Sequence, residues 1–178
     1  EYWLRCKAYR HTYAWNKIYR KEVFNQVRFP SGMNFEDSLT LPLILKNCQR
    51  VATTGMGLYY YCENPNGITR RATAEDLSCL LLAHVRAIIN FERKLSRRKD
   101  KKEWEKDMGT YYAHVLNIQF DVYDKSGRFF VKSRNRRKSN IKYRFPILPY
   151  HNTFKLKLLH LLGIKRLCSL HRTFKRLS

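Results

Sequence analysis

The chain has 178 residues, 44% of them apolar, enough for one ordinary hydrophobic core, which excludes a disordered polymer. Thirty-six Lys and Arg against fourteen Asp and Glu give a formal charge of +22, which bears on partners and solubility and not on fold. The five cysteines, Cys6, Cys48, Cys62, Cys79 and Cys168, are odd in number and never spaced C-x-x-C, so neither a disulfide framework nor a zinc site is indicated.

In chain order, the start Glu1-Tyr-Trp-Leu-Arg has no starting Met and no signal-peptide pattern, and truncation inside a domain is expected. Trp15-Asn16-Lys17-Ile18-Tyr19 reads as a strand or extended segment leading to a short helix near Arg20 to Gln26. After the turn signal Pro30-Ser31-Gly32, the spacing of Phe35, Leu39, Leu43 and Leu45 predicts a helix over Phe35 to Cys48. Glu36 and Asp37 fall in its first turn and Pro42 near its start or at a kink. Arg50 to Cys62, with Val51, Leu58 and Tyr59-Tyr60-Tyr61, reads as a strand or strand pair interrupted by Gly55 and Gly57. Because side chains alternate along a strand, at most one face of the tyrosine run can see a site, and the other is expected in the core.

Glu63-Asn64-Pro65-Asn66-Gly67 is a loop by its turn chemistry. Thr73 with Asp76 forms a capping-box start, followed by Leu77, Leu80, Leu81, His84, Ile88, Phe91 and Leu95 at helical spacing. The polar run from Arg97 to Asp107 continues that helix or opens another, as a solvated face. Tyr111 to Tyr123 is apolar-periodic and helical, and Lys125 to Arg144 reads as a linker. Phe154 to Leu177 alternates Leu and Ile with Lys and Arg as a basic amphipathic helix. After Asp124 no carboxylate side chain occurs, while sixteen basic residues follow from Lys125 onward. Such an arm seeks anionic lipid, nucleic acid or a phosphorylated ligand, or else its apolar stripe packs back on the domain. The histidines are too scattered for a metal constellation, and His84 on an apolar helix face reads as a core residue.

Five segments in order, Trp15 to Phe24, Arg28-Phe29-Pro30-Ser31-Gly32, Phe35-Glu36-Asp37, Leu58-Tyr59-Tyr60-Tyr61 and Gly67-Ile68-Thr69, resemble bacterial family 2 (GT-A type) glycosyltransferases. Cys62, Gly67 and Ser38 depart from that pattern. The resemblance implies an α/β fold: the C-terminal, acceptor-side portion of a Rossmann-like GT-A domain, helix-rich, followed by a basic helical tail. The implied divisions are 1–72 for the acceptor side, 73–124 for a helical region, and 125–178 for linker and amphipathic tail.

It implies an inverting, nucleotide-sugar-dependent enzyme of surface or extracellular polysaccharide synthesis, in which this fragment alone is inactive. Asp37 would be the catalytic base, because such transfer needs a carboxylate to take the acceptor hydroxyl's proton, and Glu36 its neighbour. Otherwise both are carboxylates favoured by a helix N-terminus. Trp15, Asn16 and Lys17 would bind the acceptor; otherwise they are a core Trp and a turn Asn. Arg70 and Arg71 would meet donor phosphates, or else are surface charge. A divalent metal, Mg or Mn, would serve the full enzyme with ligands outside this chain, since Asp121-Val-Tyr-Asp124 has the wrong spacing for a D-x-D motif. The implied partners are a nucleotide-sugar donor and a glycan or lipid-linked acceptor, with an anionic membrane surface met by residues 154–177. The location would be cytoplasmic, peripheral at the inner face of the cell membrane. The alternative is a basic membrane- or nucleic-acid-binding module without catalysis. Against nucleic acid stands the lack of a helix-turn-helix, RNP or zinc pattern.

Overall fold

A computed structural model describes residues 1–132 and 143–177. Five α-helices follow one another: α1 (Glu36–Asn47), α2 (Ile68–Arg71), α3 (Ala74–Leu95), α4 (Lys101–Ser126) and α5 (Phe154–Leu177). Single 3-10 turns at Ala8–Arg10 and Lys21–Phe24 precede them.

The body of the molecule is the α3–α4 pair. Thr73 starts α3 as a reciprocal cap: its hydroxyl accepts from the Asp76 N–H at 3.2 Å, while its own N–H donates to the Asp76 carboxylate at 2.8 Å. Two otherwise orphaned backbone donors are thereby satisfied, and the carboxylate complements the helix dipole. α3 stops at Ser96, and a short turn ending at Asp100 reverses the chain. Contacts between Lys101 and Glu92, Tyr111 and His84, and Lys125 and the Ala72 carbonyl set an antiparallel register. Short connections impose this geometry on neighbouring helices.

Between the two helices Leu81, Ile88, Met108, Tyr111, Tyr112, Val115 and Leu116 are completely buried. The N-terminal segment closes one side, where Trp3 sits edge-on to Tyr111 at 5.8 Å and Tyr9 lies 4.5 Å from the same ring. On another side, the buried amide of Gln119 donates to the Phe129 carbonyl at 2.9 Å and accepts from the Tyr143 hydroxyl at 2.7 Å. One satisfied polar side chain thus fastens the two segments that flank residues 133–142. α5 then packs Leu156, Leu159, Leu167 and Cys168 against the assembly, mainly on α4.

The helices predicted at Phe35 to Cys48, from Thr73 and at Phe154 to Leu177 form where the periodicity places them. α4 starts ten residues before Tyr111, taking up much of the polar run from Lys101. Part of the expected linker, residues 133–142, lies outside the described residues.

The fold class requires correction. Among the described residues there is no β-strand and all regular structure is helical, which is not the α/β, Rossmann-like GT-A portion that the resemblance implied. A doubly wound domain is organised by a parallel sheet, and both predicted strands fail to form one. Trp15 to Tyr19 is irregular. Arg50 to Cys62 is chain without a ladder partner, its Val51, Met56, Leu58 and tyrosines exposed. The likeness to family 2 glycosyltransferases falls with the sheet, and so do the assignments to an inverting, nucleotide-sugar-dependent enzyme of polysaccharide synthesis and to Asp37 as its base. The motifs that carried the likeness lie at turns and at the start of α1, where aromatics, Gly, Pro and paired carboxylates have local reasons to occur.

Candidate binding site

The start of α1 is held against the preceding loop by one buried contact, a 2.7 Å hydrogen bond between the hydroxyls of Thr12 and Ser38. This pairing brings residues 11–17 alongside Glu36 and Asp37. Entry into α1 is sharp: Phe35, the N-cap, has φ 60° and ψ 31°, a left-handed conformation that costs a non-glycine residue on the order of 1–3 kcal/mol. The helix also contains Pro42, which has no N–H to offer the Ser38 carbonyl, while the Thr40 hydroxyl donates to the Glu36 carbonyl at 2.8 Å. A strained entry and a broken ladder in one short helix mean that its placement is imposed by surroundings rather than by propensity.

Asp37 is half-buried. Its Oδ1 accepts from the Ser38 N–H at 2.7 Å. Burial pushes the carboxyl above the ordinary carboxylate range, opposed by the Ser38 hydrogen bonds and by the Lys17 charge, with Glu36 adding to the rise. Lys17 shows the counterpart: burial lowers its ammonium, and Asp37 acts against that shift. The Lys17 ammonium donates to the His11 carbonyl at 2.6 Å, the Tyr13 carbonyl at 2.8 Å and the Asn16 side-chain oxygen at 2.6 Å. All three of its protons are committed, so it orders the loop and leaves Asp37 as the group with lone pairs to spare.

The same loop also carries an aromatic stack. Trp15 lies 5.3 Å from Tyr13, 4.8 Å from Tyr59 and 4.9 Å from Tyr61, with interplanar angles between 21° and 29°. The four residues are from 38% to 62% exposed, although they are large aromatics. Tyr60, between two members, is 98% exposed and takes no part. Period-two alternation therefore holds along Tyr59 to Tyr61 even without a sheet. Gathering rings that remain wet is the arrangement of a contact surface and not of a core.

The structure thus brings together Asn16, Lys17 and Asp37, with Glu36 beside Asp37 in the first turn of α1, and stacks the Trp15 of the same loop on Tyr13, Tyr59 and Tyr61. Arg70 and Arg71 instead lie on the four-residue α2, where Arg70 reaches Glu63 at 3.3 Å and Arg71 bonds the Asn66 side chain. Both are tied to their own loop. Tyr13, absent from the sequence-predicted site, was findable only through the alternation Tyr13, Trp15.

A cleft of about 820 Å³ lies elsewhere, between the N-terminal segment, α1 and α3. Pro42, Leu43, Ala83 and Phe91 line its apolar floor and Arg28, Lys46, Arg86 and Lys94 its rim. Its lining mixes apolar side chains with Thr40, Gln49, Asn90 and these cations, whereas the stack gathers exposed rings on the loop that the Thr12–Ser38 hydrogen bond ties to α1. Among the described residues no group of three His, Cys, Asp or Glu side chains is placed to hold a metal ion. Asp124, the second carboxylate of the Asp121-Val-Tyr-Asp124 run, pairs with Lys175 at 3.0 Å and lies 3.5 Å from His171. His84 and His114 are core groups. Burial lowers His84 to about 3 and His114 to about 4, and His84 Nδ1 lies 3.1 Å from the Tyr111 hydroxyl. No family model, curated protein or solved structure matches the chain.

Proposed function

We propose that the chain is a glycan-binding module, with the Tyr13, Trp15, Tyr59 and Tyr61 stack as the platform for a sugar ring and Asp37 as acceptor for its hydroxyls. The observation that carries the reading is the exposed stack on the loop that the Thr12–Ser38 hydrogen bond ties to the start of α1, where the half-buried Asp37 carboxylate lies. Pyranose rings present apolar C–H faces with hydroxyls at the rim. An aromatic surface takes the first, and a carboxylate that has spare lone pairs takes the second.

The chain's high positive charge by itself would equally suit a nucleic acid, for which aromatic rings stack on bases. The local charges argue the other way. Asp37 and Glu36 are carboxylates, and Lys17, the cation in the loop, has its donors committed to loop oxygens. A phosphate backbone is poorly served there.

Calorimetric titration of the chain with a panel of neutral and acidic oligosaccharides tests the reading. Trp15→Ala is expected to weaken the best ligand by roughly tenfold or more, since an aromatic stacking partner is worth about 1–3 kcal/mol. Asp37→Asn is expected to weaken it less, because an amide still accepts one hydrogen bond. Affinity indifferent to Trp15→Ala, or tighter binding of a single-stranded oligonucleotide through the same ring, would defeat the proposal.

A further inference from the structure

α5 has more apolar side chains than its packing uses. Leu156, Leu159, Leu167 and Cys168 are buried, yet Phe154 is 75%, Leu161 76%, Phe174 64% and Leu177 80% exposed. Their spacing is regular. Phe154 and Leu161 stand at i and i+7, with the partly buried Leu158 between them at i+4, and Leu170, Phe174 and Leu177 stand at i, i+4, i+7, so each set forms a stripe along one side of its helical stretch. The stripes are separated by Gly163, whose φ of 70° and ψ of 164° interrupt the helix. Each half of α5 therefore has a core face and a second apolar face that the fold leaves in solvent.

The charges that α5 itself places beside those faces have one sign. α5 contains no acidic residue, and Lys157, Lys165, Arg166 and Arg176 are exposed. The carboxylates that face α5 from α4 include Asp124, occupied by Lys175 and His171, and Asp121, which lines with Phe174 and Lys175 the hollow between the two helices. Lys155 is held by the Asn117 side chain at 2.8 Å.

We propose that α5 docks on an anionic bilayer surface, with the Phe154 and Phe174 stripes seated at the acyl boundary and the exposed Lys and Arg at headgroup level. The occupant follows from the pairing of large apolar side chains with adjacent cations. A phosphate backbone would use the cations and leave Phe154, Leu161, Phe174 and Leu177 in water, whereas a lipid interface uses both. No helix among the described residues is long and apolar enough to cross a membrane, and the docking is that of a helix lying in the surface plane. This inference is independent of glycan binding at the aromatic stack.

The test is co-sedimentation of the full chain with vesicles of neutral phosphatidylcholine, or of phosphatidylcholine containing phosphatidylglycerol, at low and high salt. Selective binding to the anionic vesicles is expected. Replacing Lys157, Lys165, Arg166 and Arg176 by Gln should weaken it at low salt by up to on the order of 10³-fold, at about fivefold for each cation. Removing as many exposed cations elsewhere, at Lys21, Arg50, Arg97 and Lys99, should weaken it far less. Replacing Phe154, Leu161, Phe174 and Leu177 by Ser spares the core face, as circular dichroism would verify, and should abolish the binding that survives high salt. Equal losses from the two charge variants, high-salt binding untouched by the Ser substitutions, or equal binding to neutral vesicles would overturn the proposal. So would DNA binding that depends on the same Ser substitutions.

Discussion

The α3–α4 pair and the segment from Cys48 to Gly67 both contain tyrosine and aliphatic side chains, yet they use them in opposite ways. In the helix pair, Tyr111 and Tyr112 are fully buried, and their hydroxyls find His84, the Pro146 carbonyl and the Leu148 N–H as partners. In the segment, Tyr59, Tyr60 and Tyr61 remain in water, as do Val51, Met56 and Leu58. The difference lies in the backbone. A helix satisfies its own N–H and C=O groups and can be buried outright, whereas chain without a ladder partner must keep its polar groups wet and its side chains with them. Where the backbone is satisfied, tyrosine builds a core; where it is not, tyrosine becomes surface for something else to touch.

Hydrogen exchange gives this contrast its largest expression. Amides of α3 and α4 around Leu81 to Ile88 and Met108 to Leu116 should exchange near the global unfolding limit, and those of residues 49–62 close to free-chain rates. The two should differ by on the order of 10³-fold or more. Comparable protection in both would mean that the segment pairs with something in solution.

Ring removal sharpens the same point. Tyr111→Ala deletes a fully buried ring that touches Trp3, Tyr9 and His84, and should cost about 3–5 kcal/mol in denaturant unfolding. Trp15→Ala, in the wet stack, should cost about 1 kcal/mol or less while removing ligand binding. A similar loss of stability from both would make the stack part of the core.

Acid should act on the helix pair first. His84 and His114 are held neutral by burial, below their ordinary value of 6.5, so the unfolded chain binds more protons as pH falls. Their contribution is complete above pH 6.5 and is lost between there and about 3 to 4, at up to about 1.4 kcal/mol per pH unit for each histidine. Asp37, whose carboxyl is raised, acts with opposite sign. Denaturation midpoints flat from pH 7 to 4.5 would contradict the burial of both imidazoles.

The smallest effect concerns Gly109 on α4. A methyl there would meet the Asn152 amide oxygen at 1.9 Å, and that amide donates to the Lys106 carbonyl at 3.1 Å. Asn152 is exposed and can swing away, so Gly109→Ala exchanges one hydrogen bond for better helix propensity. The midpoint should move by about 1 kcal/mol or less in either direction.

What was legible in the sequence follows from how local each signal is. Thr73 and Asp76 lie three residues apart, so the start of α3 can be read from one turn of chain. The apolar periodicity of Phe154 to Leu177 likewise located α5, but not its Gly163 break, because the periodicity runs on across it. The missing sheet was not legible. Arg50 to Cys62 has strand-like residues, and whether they form a strand depends on a partner elsewhere that no local pattern specifies. At the candidate site, Trp15 and Asp37 were readable as residue types. Their proximity rests on the Thr12–Ser38 hydrogen bond across twenty-six positions, between two small hydroxyl residues that carry no motif. The part played by Trp3 and Tyr9 in the core was equally invisible, since the N-terminal segment has no period to betray a buried face.

The bare backbone of residues 49–62 also bears on how the protein keeps in solution. N–H and C=O groups without a backbone partner, flanked by the exposed Leu58 and three tyrosines, form a template on which a second copy can align. Mutual repulsion between molecules of charge +22 opposes that encounter, and repulsion between exposed charges has a range of only about 8 Å at physiological ionic strength. Added salt should therefore turn a clear, dilute solution cloudy, the reverse of ordinary salting-in. Light scattering that rises with salt in the native chain, and stays flat when Leu58 and Tyr60 are replaced by Lys, is the expected signature of an edge kept apart by charge alone.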